Sequence, residues 1–216
     1  MRLSLPEIPK TLRWDHNAHY HDFLLQRLPR HMDRALDVGC GDGRFARLVA
    51  ERAAHVDAID ASADMIAAAR AQPDAVNVAW LLGDVMQHEL EPASYDAVTA
   101  IASLHHLPLA PALDRLSQLV RPGGVLAVLG LAREDSAAGY ALAAAAVPAN
   151  IAIGVWRNIR GTIGHAPPGM PVRDPDETYG HVRAAVRQQL PAADIRRHLF
   201  FRYSLVWHRP TASTPG

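Results

Sequence analysis

The sequence predicts an α/β fold, a parallel sheet covered by helices on both faces. Three observations predict it. Short apolar runs alternate with amphipathic stretches from residue 35 to about 130. The first apolar run stops at a glycine cluster, Gly39-Cys40-Gly41-Asp42-Gly43, as a buried strand does on entering a tight turn. Near the end, two β-like runs at 195–201 and 203–207 flank Arg202, as one bent strand or a tight pair. Continuous apolar strands that alternate with helices are strands buried on both sides.

Each element has its own signal. Residues 13–28 carry Trp14, Tyr20, Phe23, Leu24 and Leu28 at helical spacing, and Pro29 ends the run. Residues 35–38 are the first strand. Phe45, Leu48 and Val49 repeat at helix spacing after the glycines. A second strand covers 55–60, Ser62 is an N-cap, and a helix over 63–71 stops before Pro73. Strands three and four read at 76–82 and 95–101. An amphipathic helix over 109–120 closes on Arg121-Pro122-Gly123-Gly124, and strand five follows at 125–129. The rhythm then breaks over 131–175, too long for an ordinary connection. It begins with an Ala-rich helix at 137–146 and continues through Trp156, Ile159, His165 and Met170. The last helix spans 176–190, and 210–216 reads as a tail.

Composition narrows the function classes. Lys+Arg and Asp+Glu both count 22 in 216 residues, so the formal charge is zero. A basic field for nucleic acid or an anionic membrane is therefore not expected. The single cysteine rules out an intramolecular disulfide and a Cys-rich zinc site. His16 and His19 stand close together, but no carboxylate or cysteine pattern completes a metal site, so no metal is expected. Residues 1–10 hold Pro6, Pro9 and charges in place of a signal-peptide core, and the longest apolar stretch, 137–146, is too short to span a bilayer. One cytoplasmic domain over 1–216, monomeric or homodimeric, is the expectation.

The glycine cluster admits two nucleotide-binding readings. A dinucleotide turn wants a small residue three after its second glycine, to let helix and strand approach. Arg44 occupies that place, which argues against a nicotinamide-dependent oxidoreductase. Asp37 with glycines at 39, 41 and 43 instead resembles the first motif of the class I S-adenosylmethionine-dependent methyltransferases. Four further stretches are similar to that family in order and spacing. They are Val56-Asp57-Ala58-Ile59-Asp60-Ala61-Ser62-Ala63-Asp64-Met65-Ile66, Gly83-Asp84-Val85, Tyr95-Asp96-Ala97-Val98 with Ser103-Leu104-His105-His106-Leu107, and Leu119-Val120-Arg121-Pro122-Gly123-Gly124-Val125-Leu126.

The resemblance implies a Rossmann-like doubly wound sheet, mostly parallel with an antiparallel last strand. It implies S-adenosylmethionine as cofactor, held by the half of the chain from 35 to 130, with 1–30 as a cap region, 131–175 on the substrate side, and 176–209 supplying the last helix and strands. Carried over residue by residue, Gly39 and Gly41 let the backbone approach the methionine part, and Asp37 orients their loop. Asp60 accepts from both ribose hydroxyls, a bidentate role suited to a carboxylate. Asp84 accepts from the adenine amino group, and the Val85 amide donates to a ring nitrogen. Cys40, Ala61, Met65 and Ile101 line the same cleft, Cys40 as a small turn residue and not as a nucleophile. Tyr20 is the candidate for the cofactor's carboxylate, on a helix face it shares with Asn17 and His21 or with His16 and His19.

His105 and His106 are candidates for a general base or a pocket wall. Trp156 and His165 are candidate acceptor contacts in a partly apolar pocket. The Asn-Pro-Pro-Tyr signature for amide and base nitrogens is absent. The expected partner is a small-molecule acceptor, with no nucleic acid and no membrane. A non-catalytic cofactor-binding module and a tRNA methyltransferase are the alternatives.

Overall fold

A computed structural model describes residues 15–73, 75–137 and 173–211, with some positions between 139 and 156. One seven-stranded sheet runs through it in the order β3-β2-β1-β4-β5-β7-β6. Its strands are β1 (Met32–Val38), β2 (Ala53–Asp60), β3 (Val78–Leu82), β4 (Tyr95–Ile101), β5 (Val120–Leu131), β6 (Asp194–His198) and β7 (Arg202–His208). The first five pair in parallel. β7 pairs antiparallel with both β5 and β6. The doubly wound, mostly parallel sheet with an antiparallel end is therefore present as expected.

Alternate residues of the central strands feed two separate cores. Leu36, Val38, Leu126 and Val128 face one layer, packed with Leu113 and Leu116 of α4 (Leu109–Leu119) and Val182 and Val186 of α5 (Tyr179–Gln189). Ala35, Val125, Ala127 and Leu129 face the other. There they meet Leu24 of α1 (His21–Leu25), Phe45 and Val49 of α2 (Arg44–Ala50) and Ile66 of α3 (Ala63–Arg70). Burial on both faces is what makes the strands read as unbroken apolar runs.

Several boundaries differ from the sequence reading. The single helix expected over 13–28 is a 3-10 turn, Ala18–Tyr20, running into the five-residue α1. Asp15 causes this: its Oδ1 accepts from the amides of Asn17 and Ala18 at 2.8 and 3.2 Å, so the chain turns there. β1 starts three residues early because Asp96 Oδ2 accepts from the amides of Asp33 and Arg34 at 2.8 and 2.9 Å. The two C-terminal runs are a tight pair, and the break falls at 199–201, not at Arg202, which opens β7. Ser62 caps α3 as expected, accepting from the Met65 amide. The tail at 212–216 lies outside the described residues.

The order of strands reverses between β1 and β4, whose loops leave in opposite directions. In open α/β sheets a crevice opens at that point, outside the carboxyl ends of the strands. Here the glycine cluster follows β1 and Ser103 to His106 follow β4. Among the described residues no helix is long and apolar enough to cross a membrane.

Candidate active site

A cavity of 440 Å³ fills this crevice. That volume lies within the range of about 300–1,000 Å³ usual for cofactor and substrate sites.

The glycine cluster forms one wall, with Gly39, Gly41 and Gly43 at φ +68°, +56° and +77°. A side chain at Gly39 would put its Cβ 2.3 Å from Ser103 Cβ, so the loops after β1 and β4 touch only because position 39 has none. Ser103 Oγ donates to the Val38 carbonyl at 2.7 Å and locks that contact. Asp37 lies beneath the loop, buried, and Thr99 Oγ1 donates to its Oδ1 at 2.7 Å. Burial, opposed by that bond and reinforced by the Asp60 charge, pushes the Asp37 carboxyl from 3.8 up to about 7.

Asp60 ends β2 and faces the glycine wall. Its Oδ2 accepts from the Gly41 amide at 2.9 Å and its Oδ1 from the Ser62 amide at 2.8 Å. Each oxygen has accepted one hydrogen bond, and each keeps lone-pair capacity for a further donor. Asp84, after β3, is half-buried and accepts from the Met86 amide through Oδ1 at 2.9 Å. Val85 beside it is buried. Ala61, Met65 and Ile101 complete the apolar part of the lining. Cys40 lines it too, but burial and the Asp37 and Asp60 charges push its thiol up, away from thiolate chemistry.

The structure thus gathers round one cavity eleven of the twelve residues expected there from β1 to β4: Asp37, Gly39, Cys40, Gly41, Asp60, Ala61, Met65, Asp84, Val85, Ile101 and His106. His105 is the twelfth and is not part of the lining. Its ring lies against His106 with centroids 4.1 Å apart, and its buried Nδ1 has no hydrogen-bond partner among the described residues. Burial and the neighbouring His106 lower it to about 4, so it is neutral near pH 7. Burial, with Arg173 adding, also lowers His106.

Tyr20 is a correction. It is 8% exposed and does not line the cavity. Its ring packs on His198 with centroids 5.2 Å apart, and its hydroxyl donates to the Leu199 carbonyl at 3.3 Å. The β6–β7 turn claims it because the chain turns at Asp15. That turn delivers Asp15, Asn17 and His21 to the cavity instead. Trp156 is half exposed and is not among the lining residues. His165 lies outside the described residues, as do Ile159 and Met170.

Sequence reading missed Asp15, Asp42, Arg44 and Ser103 as lining. Arg44 Nη1 pairs with Asp15 Oδ2 at 3.1 Å, which ties the N-terminal turn to the start of α2. Five aspartates line the cavity against one arginine, Arg44. Such a lining suits a ligand rich in hydrogen-bond donors and positive charge. Among the described residues no group of three or more His, Cys, Asp and Glu side chains is arranged to hold a metal ion.

Residues 35–124 match a family model described as a methyltransferase domain. An uncharacterised methyltransferase of Mycobacterium tuberculosis is 36% identical over 199 residues, 91% of this chain and 98% of that protein. A ubiquinone biosynthesis O-methyltransferase of Xylella fastidiosa is 34% identical over 111 residues, 50% of this chain and 45% of its own. The N-methyltransferase NodS from Bradyrhizobium japonicum, solved with S-adenosyl-L-homocysteine, has the same fold. It matches with a TM-score of 0.60 at 15% identity over 94% of this chain and 92% of its own.

Proposed function

Because this chain belongs to the class I S-adenosylmethionine-dependent methyltransferases, we propose that it methylates a small-molecule acceptor at the carboxyl edge of β1 and β4. One observation carries the reading: Asp60, fixed by the Gly41 and Ser62 amides, stands beside a side-chain-free glycine wall at the edge of a 440 Å³ cavity.

The residues present fit the cofactor. S-adenosylmethionine, when bound, would supply an electrophilic methyl group on a sulfonium. The acidic lining matches a ligand with an ammonium, a sulfonium and two ribose hydroxyls. Asp60 uses its spare lone pairs for those hydroxyls, and the glycine wall lets backbone approach the methionine part. Asp84 takes the adenine amino group, and Val85 covers the ring. Asp37 holds the glycine loop from below. His106, neutral near pH 7 at the exposed end of the cavity, takes the proton the acceptor loses. The rest of catalysis is alignment of nucleophile, carbon and leaving sulfur.

Balanced charge and a cavity of this size support a small acceptor over a polynucleotide. The test is incubation with trideuteromethyl-labelled cofactor and a cell extract split into metabolite, protein and RNA fractions. Label in a small molecule, read by mass, is the expected result. Label confined to protein or RNA overturns the reading.

A further inference from the structure

The loop after β3 that carries Asp84 and Val85 is clipped to α4 by one arginine. Asp84 is the centre of a single turn there. Its main-chain carbonyl accepts from the Gln87 and His88 amides at 2.9 and 2.8 Å, and its Oδ1 accepts from the Met86 amide at 2.9 Å. Arg115 Nε donates to the Val85 carbonyl at 3.3 Å, and its Nη2 donates to the His88 carbonyl at 2.8 Å. Both acceptors are main-chain oxygens of that turn, and a rigid guanidinium fork spans the pair. Leu113 and Leu116, on either side of Arg115 in α4, are fully buried, so the core fixes the helix that bears the fork. Arg115 itself does not line the cavity.

Its hold reaches Asp84 through one peptide group. The Val85 carbonyl and the Met86 N–H belong to the same planar peptide, so a donor that fixes the one directs the other. That N–H is the group that fixes the Asp84 carboxylate. Arg115, the Val85–Met86 peptide and Asp84 Oδ1 thus form a chain of hydrogen bonds in which each strengthens the next. A carboxylate with one accepted bond keeps further lone pairs, and Asp84 lines the cavity.

Two purines differ at the point such an acceptor reads. Adenine presents an amino donor, and hypoxanthine presents a carbonyl oxygen in its place. A carboxylate free to turn away separates them weakly. One held in place pairs with the first and repels the second.

We propose that Arg115 is a positioning residue for purine specificity: by clipping the Val85 and His88 carbonyls it holds the Asp84 carboxylate where it selects an amino-bearing purine over an oxo-bearing one. The inference rests on the reading above in which Asp84 takes the adenine amino group. A clamp that served stability alone would weaken every purine ligand alike.

The experiment uses the full chain and two ligands, S-adenosylhomocysteine and its deaminated counterpart S-inosylhomocysteine, with each dissociation constant read by calorimetry. Wild type is expected to prefer the adenine ligand by about tenfold or more. Arg115→Met keeps the apolar stem and removes the fork. It is expected to weaken the adenine ligand about three- to tenfold and the inosine ligand by less than about twofold, so that the preference shrinks. Equal weakening of the two, or no change in either, overturns the proposal. Asp84→Ala separates this role from the adenine assignment. It is expected to abolish the preference, and Arg115→Met added to it is expected to leave the remaining ratio unchanged. No preference in wild type, or a preference that survives Asp84→Ala, overturns the adenine assignment and the role of Arg115 with it. A preference lost in Asp84→Ala but kept in Arg115→Met leaves the adenine assignment standing and overturns the role of Arg115 alone. Should Arg115→Met lose its cooperative thermal transition, Arg115→Lys serves instead. Its single ammonium lacks the fork, and the preference is expected to fall about two- to fivefold; an unchanged preference is the contrary result.

Discussion

Gly39 shows how one missing side chain shapes the site. Its φ of +68° is costly for any L-residue, and Ser103 occupies the space a Cβ would need. Gly39→Ala is expected to destabilise the protein by about 2–4 kcal/mol, from left-handed backbone strain and overpacking together. Denaturant unfolding checks the value, and calorimetry should show weakened cofactor binding in the same variant. Asp37 offers a second test at this scale. Its carboxyl is raised from 3.8 to about 7 in the folded protein. Its contribution to stability is thus fully present below about pH 4 and is lost as pH rises through about 7. Unfolding at pH 5 and pH 8 should show wild type losing stability relative to Asp37→Asn; parallel profiles would contradict this.

Residues fixed by local chemistry were readable in advance: the glycines by their turn, Ser62 by its capping position, and Asp60 by its place at a strand end. Tyr20 was not, because its partner, the Leu199 carbonyl, is 179 residues away along the chain. Asp15, Asn17 and Arg44 were missed for the same reason, since only the folded N-terminal turn joins them.

At the scale of elements, the central strands were legible because burial on both faces leaves an unbroken apolar signature, and β4 matches its reading end to end. Edges set by distant side chains were not. Asp96 pulls residues 33 and 34 into β1 from the neighbouring strand β4, and it also pairs with Arg121 at the entry to β5. Asp96→Ala leaves those two amides without their acceptor, and a loss of about 2–4 kcal/mol is expected on unfolding. The β5–β7 contact offers a steric counterpart. Gly130 lies under the buried ring of Tyr203, and a Cβ there would come within 2.1 Å of Tyr203 Cζ. Tyr203 is 2% exposed and has no room to retreat. Gly130→Ala should therefore cost about 1–3 kcal/mol. Gly130→Ala with Tyr203→Leu should recover part of that loss if the ring is the cause, which thermal unfolding of the single and double variants would show.

The whole molecule places its chemistry by topology. The reversal of strand order between β1 and β4 opens the crevice, and every acidic lining residue but Asp15 lies at or just past the carboxyl end of one of β1, β2 and β3. Order and spacing along the chain announced this half of the site, since parallel strands deliver their carboxyl ends to one edge. The rest of the lining comes from the N-terminal turn and the loop after β4, which lie far apart along the chain. The central claim is that Asp60 anchors S-adenosylmethionine in this cavity. Calorimetric titration of wild type and Asp60→Ala tests it most directly. The account predicts a dissociation constant in the micromolar range for wild type and a weakening of about tenfold or more, roughly 1.4 kcal/mol at least, in the variant. Equal affinities in the two proteins, or no binding to wild type, would contradict it.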